Sequence, residues 1–247
     1  MVDAAFAAHH TENTDMKILE PALAAAAVLL ALSTAPARAG DDAAQYRVVF
    51  TGTWTAATHP LEYPKAGLLT GPHFSGLIGA THARGYAIFA PGTLPTPGLE
   101  RLSEEGKHSP LDAEIKAAIA GGKAGVLFET GPIRDMSKTE MALFRADAAH
   151  PLVSAVAMIA PSPDWFAGAA DVDLREGGAW VESKEVVLYA YDAGGDDGTT
   201  YEAPDQDANP KHPTALNDSP HFKRGAERIP VGRLSFTRVP SAQVGSR

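Results

Sequence analysis

Tyr46-Arg47-Val48-Val49-Phe50-Thr51 is the stretch that decides the fold, because Tyr46, Val48 and Phe50 fall on one side of an extended chain and Arg47, Val49 and Thr51 on the other. A period of two in β-branched and aromatic residues predicts a strand with one covered face, ending around Trp54. Outward from it, short apolar segments recur between clusters of Gly, Pro, Asn and Asp. They are Tyr86 to Phe89, Val126 to Glu129, Leu152 to Ile159, Ala170 to Leu174, Val186 to Tyr191 and Arg233 to Val239. Seven strands suffice for two packed sheets, so the expected fold is all-β, an antiparallel β-sandwich. Two helices interrupt it. Ser109-Pro110-Leu111-Asp112 offers an N-cap and a proline at the first helical position, ahead of Ile115, Ile119 and the stop at Gly121-Gly122. Gly98 to Glu105, with Leu99 and Leu102 three apart, predicts a shorter helix before it. The stretch from Ala203 to Arg224 reads as one long surface loop.

Composition narrows the function. The chain has 247 residues, 45% hydrophobic and 21% charged, with a formal charge of -9. One domain over residues 40–247 accounts for it. The net negative field repels polyanions, so no nucleic-acid partner is expected; Lys223, Arg224, Arg228 and Arg233 are diluted by Glu227. Cysteine is absent, which removes thiol catalysis, cysteine-based zinc sites and disulfides together. An exported protein without disulfides leans towards a bacterial source.

Export itself is read from residues 1–39. Met16-Lys17, the apolar run Ala22 to Leu32 and Ala37-Arg38-Ala39 before Gly40 have the layout of a signal peptide cleaved near Ala39/Gly40, with the true start at Met16. The run is shorter than the roughly 20 residues a spanning helix needs. The expected location is therefore secreted or periplasmic, with no transmembrane segment in the mature chain.

Two segments are poor strand formers and good donors to a hard cation. In Pro161-Ser162-Pro163-Asp164-Trp165-Phe166 the prolines end a strand and fix Asp164 in a stiff loop. In Tyr191-Asp192-Ala193-Gly194-Gly195-Asp196-Asp197-Gly198 three carboxylates fall within six residues, and the glycines let the backbone curl. Calcium takes six to eight oxygens from carboxylates, carbonyls and water, whereas zinc would want His and magnesium more water. The spacing is not that of an EF-hand, and an Asp/Gly-rich turn is more often simply solvated.

These residues carry a resemblance. The run Tyr46 to Trp54, then His59-Pro60, Tyr63-Pro64, His73-Phe74-Ser75, Gly79-Ala80-Thr81-His82, His150-Pro151-Leu152-Val153-Ser154, Pro161 to Phe166 and Asp192-Ala193-Gly194, is similar to the spondin domain family of the F-spondin and mindin type. The resemblance covers about Tyr46 to Val239. It implies a C2-like antiparallel sandwich holding one calcium ion (Ca2+) at a loop edge, with Asp164, Asp192 and Asp196 as ligands, and a role in adhesion or recognition. Asp197 stands where the family usually has Ser and is a fourth candidate ligand. Leu174-Arg175 replaces the Leu-Cys of animal members, in keeping with the missing disulfides. The expected partner is a protein or glycan surface ligand; sequence specifies neither it nor the oligomeric state.

The competing class is an envelope hydrolase. His59, His73, His82 and His150 with Ser75, Ser154 and Ser162 are the raw materials of a nucleophile and base, yet no Gly-x-Ser-x-Gly or His-Glu-x-x-His pattern is present. That reading requires a serine within reach of a buried histidine that also meets an acid. Trp54, Trp165 and Trp180 are expected in the core, with Trp165 beneath the acidic loop.

Overall fold

The computed structural model describes residues 42–65 and 71–240. The leader read over residues 1–39 lies outside them. Eight long strands build the domain: β1 (Ala43–Gly52), β2 (His73–His82), β3 (Ala124–Ile133), β4 (Thr139–Asp147), β5 (Leu152–Ala160), β6 (Trp165–Asp173), β7 (Ser183–Asp192) and β8 (Gly232–Val239). They are antiparallel, in the order β3-β2-β5-β6-β7-β8-β1-β4, with Ala215–Leu216 added beside β7. The two end strands, β3 and β4, are consecutive in sequence and in contact, so the sheet nearly closes into a barrel-like sandwich. The fold class is all-β, as the sequence indicates.

The alternation in β1 does what its period predicts: Ala44, Tyr46, Val48 and Phe50 are buried. They face a core that includes Phe74, Phe144, Leu188 and Phe236 and all three tryptophans. Opposite the barrel interior, two helices cover the outer face of β2, β5 and β6. Helix α1 (Pro97–Glu105) is capped by Thr96, whose hydroxyl accepts from the Leu99 N–H at 3.1 Å, and is ended by Gly106 at φ +67°. Helix α2 (Leu111–Ala120) follows. Leu99, Leu102, Leu111 and Ile115 pack on Ile78, Ala80, Val156 and Phe166 to form a second core. This explains why Leu152 to Ile159 lacks alternation: all nine residues of β5 are buried, because both its faces are covered.

Several details differ from the sequence reading. Tyr86 to Phe89 is a loop; Ile88 and Phe89 are apolar because they plug the second core, not because they pair. Helix α2 begins at Leu111, with Pro110 rather than Ser109 at its cap and no side-chain cap bond. The 203–224 stretch is mostly loop but contributes Ala215–Leu216 to the sheet and a short 3-10 turn at Pro220–Phe222. Strands β2 and β4 were not foreseen. In β2, Gly76 and Gly79 break the pattern, and both are needed: a Cβ on Gly79 would lie 2.3 Å from the Phe128 ring, and one on Gly76 2.5 Å from the Thr130 carbonyl. In β4, Met141 and Leu143 are exposed, so apolar residues occupy both faces and the period of two is hidden.

Candidate metal and recognition site

The ladder between β6 and β7 sets the site. Trp165 is registered against Asp192, so the residue before one and the residues after the other must be neighbours. Asp164 accordingly meets the 193–196 turn: its carbonyl accepts from the Ala193 N–H at 3.2 Å, and its Oδ2 accepts from the N–H groups of Gly194, Gly195 and Asp196 at 2.7, 2.8 and 3.2 Å. Three backbone donors converging on one oxygen form an anion-accepting nest. The curl depends on glycine. Gly194 sits at φ +87°, and a Cβ there would lie 2.1 Å from the His212 carbonyl oxygen. Gly194→Ala is therefore expected to cost on the order of 2 kcal/mol, read as a lower denaturant midpoint with an unchanged slope.

A second loop closes over this turn. His212 N–H donates to the Gly194 carbonyl, Ala208 N–H to that of Gly195, and Thr214 Oγ1 to that of Ala193. Asp196 is buried and joins the two loops: its Oδ1 accepts from Gly198 N–H at 2.6 Å and its Oδ2 from Gln206 N–H at 2.7 Å. Asp197 is exposed and turns to His212, with 3.1 Å between Oδ1 and Nε2. Asp192 is half-buried beside Asp164.

The electrostatics follow from this crowding. Burial pushes the Asp164 carboxyl up to about 7, with the Asp192 charge adding to the rise and the three N–H groups opposing it. Asp192 is raised by burial and held back by the Gly194 N–H and the Trp165 indole. Glu104, on α1, was not singled out in the sequence; burial and then the charges of Glu100, Asp164, Asp205 and Asp196 push it up to about 7. Its only sequence signal is the spacing of four from Glu100, which puts both acids on one helix face. Asp164 Oδ1 and Glu104 Oε1 are buried oxygens without a hydrogen-bond partner.

Measured against a cation, these residues fit in chemistry and only partly in placement. The donors are all oxygen, as calcium prefers, and Asp164 keeps one oxygen free. Asp196 already spends both oxygens on backbone N–H groups and Asp197 leans on His212. Among the described residues no three acids or histidines are already grouped tightly enough to hold a metal ion.

The histidines and serines resolve differently. His82 and Ser154 are both wholly buried, with 2.8 Å between His82 Nε2 and Ser154 Oγ, and Asp171 Oδ1 lies 3.9 Å from the same Nε2. A buried His does meet a Ser and an acid, but in the wrong order. In a triad the acid holds the nitrogen opposite the nucleophile, whereas here Nδ1 is bonded to the Ala83 carbonyl. Ser154 instead fills a β-bulge: the register between β5 and β6 slips between Val153 and Ala155, and Ser154 Oγ accepts from the Asp171 N–H at 3.3 Å. The basic residues are also engaged, since Lys223 and Arg228 share Asp218 Oδ1 at 3.0 and 2.7 Å.

Comparison with known proteins identifies the family. The sequence model of the family described as Spondin_N matches residues 44–222. Spondin-2 of Rattus norvegicus is 32% identical over 212 residues, covering 79% of this chain and 62% of its own length. Spondin-2 of Homo sapiens is 32% identical over 210 residues with the same coverage. Spondin-1 of Xenopus laevis is 31% identical over 208 residues, which take in 25% of its length. The chain thus spans about three fifths of the spondin-2 relatives and a quarter of spondin-1. With the matched region running from β1 through both acidic loops, the chain belongs to the Spondin_N family.

Proposed function

We propose that this domain is an exported, non-catalytic recognition module whose loop edge binds one calcium ion through Asp164, Asp192 and Asp196, and presents that edge to a protein or glycan surface ligand. The observation that carries the reading is the Asp164 carboxylate, buried yet left with an unpartnered oxygen beside Asp192. Bound there, calcium would supply the positive charge that the crowded acids lack. The chain's own part is to hold the acids together: the β6–β7 register brings Asp164 to the turn, and Asp196 ties the turn to the 203–214 loop.

A non-catalytic role is supported by the burial of Ser154 and His82, which leaves no path for a substrate carbonyl, and by family membership. Export is supported by the Ala37-Arg38-Ala39 pattern. Among the described residues no helix is long and apolar enough to cross a membrane. A bacterial source rests on the missing cysteines alone.

The test is the melting temperature of chelated protein titrated with calcium. At 100 times the dissociation constant the ion should stabilise by about 2.7 kcal/mol, a rise of roughly 5–10 °C for a domain of this size. Asp192→Ala should lose most of that rise. No shift in wild type, or an undiminished one in the variant, would remove the ion from the account.

A further inference from the structure

A cavity of about 610 Å³ lies on the outer face of the sheet, beyond the end of α1. The strand ladders place its parts. Ile133 of β3 is registered against Phe74 of β2, and Phe74 against Ile159 of β5, and all three belong to the main core. Alternation therefore sends their neighbours Arg134, His73 and Ala160 outward in one row, where they line the cavity. Helix α1 packs over β5 and β6 and brings Glu104 and Glu105 to the opposite wall. Ser75 and Met158, uncharged and buried, line the cavity as well.

The charged and titratable groups of the wall are His73, Glu104, Glu105, His108 and Arg134, and two of the five are already spent. Glu105 pairs with Lys107 and Arg101. His108 sets Nδ1 against Glu129 Oε1 at 2.6 Å and Nε2 against the Gly76 carbonyl oxygen at 2.9 Å. Arg134 is exposed, and among the described residues it makes no ion pair; Glu104 makes no hydrogen bond. His73 gives Nδ1 to the Gly71 carbonyl at 2.7 Å and keeps Nε2; an imidazole is neutral or positive, so it does not offset the guanidinium beside it. The charges of Glu100, Asp164, Asp205 and Asp196 deepen the negative field at Glu104. The cavity is thus polarised, with a positive end at Arg134 and a negative end at Glu104. A dianion would clash with one end and a diamine with the other, and a neutral molecule would answer neither. A ligand charged oppositely at its two ends answers both. A sphere of this volume is about 10 Å across, and an extended chain covers about 3.3–3.6 Å per residue, so two or three residues fill it. We propose that this cavity binds a short free peptide by its two termini, the ammonium at Glu104 and the carboxylate at Arg134. This goes beyond the calcium reading and does not rest on it.

The test is isothermal titration of the protein in chelator, so that the calcium ion plays no part. The pH is 7.5, between the Glu104 carboxyl, pushed up to about 7 by burial and its acidic neighbours, and a peptide amine near 8. The probes are trialanine, N-acetyl-trialanine, trialanine amide and free alanine. Trialanine should bind saturably at one site per chain. Blocking either terminus should weaken it tenfold or more, and alanine, whose two charges sit on one carbon, should bind far more weakly. Each variant should erase one of these differences: Glu104→Gln should bind trialanine no better than its acetylated form, and Arg134→Gln should bind it no better than its amide. Arg134 is exposed, so its variant keeps the test open should Glu104→Gln fail to fold. The proposal is overturned if trialanine does not bind, if either blocked form or alanine matches it, or if the folded variants discriminate the four probes as wild type does.

Discussion

Asp164→Ala is expected to destabilise the calcium-free protein by about 3–5 kcal/mol, lowering its melting temperature by roughly 10 °C or more. The side chain is wholly buried, and removing it leaves the N–H groups of Gly194, Gly195 and Asp196 without their acceptor. The loss should spread, because the same turn carries the backbone bonds to His212 and Ala208. Asp164→Asn separates two roles in one residue. Its amide oxygen can still accept from the turn, so most of the stability should remain. Its charge is gone, so the thermal response to calcium should vanish. An Asp164→Ala protein as stable as wild type would mean that the three bonds do not hold the turn. An Asp164→Asn protein that keeps the full calcium response would mean that the ion sits elsewhere.

The second large effect is on the acid limb of stability. His59 is wholly buried, its ring against Phe222 and its Nδ1 within 2.9 Å of Thr58 Oγ1. Burial lowers its pKa from the ordinary 6.5 to about 4, the nearby Arg224 charge adding to the fall and a backbone bond at Ile229 opposing it. The folded state therefore keeps His59 neutral where the unfolded chain is protonated. The contribution is complete above pH 6.5, declines as pH falls towards 4, and is flat below that. A drop of this size corresponds to on the order of 3 kcal/mol. His82, lowered chiefly by its burial, acts in the same sense. Asp164 and Glu104, both raised to about 7, act oppositely: their contribution is complete below the ordinary carboxylate range and is lost as pH rises through 7. The measurement is accordingly a difference. Stability of His59→Phe minus that of wild type, taken by denaturant titration from pH 7 to 4 in one chelating buffer, should rise as pH falls. A flat difference would show that His59 takes up its proton equally in both states.

Legibility from sequence followed exposure. Where one face of an element is covered, the period speaks: β1 and β8 were readable from Tyr46, Val48, Phe50 and from Leu234 and Phe236. Where both faces are covered the period is lost, and β5 was read instead from its unbroken apolar run; β2, broken by two glycines, and β4, with exposed Met141 and Leu143, offered neither signal. Both helices could be read because α1 carries Leu99 and Leu102 at helical spacing and ends at Gly106, and α2 places Leu111 and Ile115 on one face.

The site divided in the same way. Prolines around Asp164 and glycines after Asp192 marked two loops, and their meeting needed only the β6–β7 ladder. What each acid does once there was not readable, since it depends on which backbone N–H groups it captures. Asp196 became a staple between loops and Asp197 a surface partner of His212. Glu104 joined the cluster from sixty residues upstream of Asp164, and only the packing of α1 on β5 and β6 brings it there. His82 and Ser154 carried the residue types of catalysis; geometry made them the filling of a bulge.

Terbium luminescence tests the central claim most directly, because this ion takes calcium's place on oxygen ligands and is excited through a neighbouring indole. Trp165 directly follows Asp164 and is registered against Asp192. Terbium added to chelator-free protein excited through tryptophan should give saturable emission at one site per chain, displaced by calcium, abolished in Asp164→Asn and strongly reduced in Trp165→Phe. Emission that never rises above the free ion, or that persists unchanged in Asp164→Asn, would contradict a calcium site at this edge.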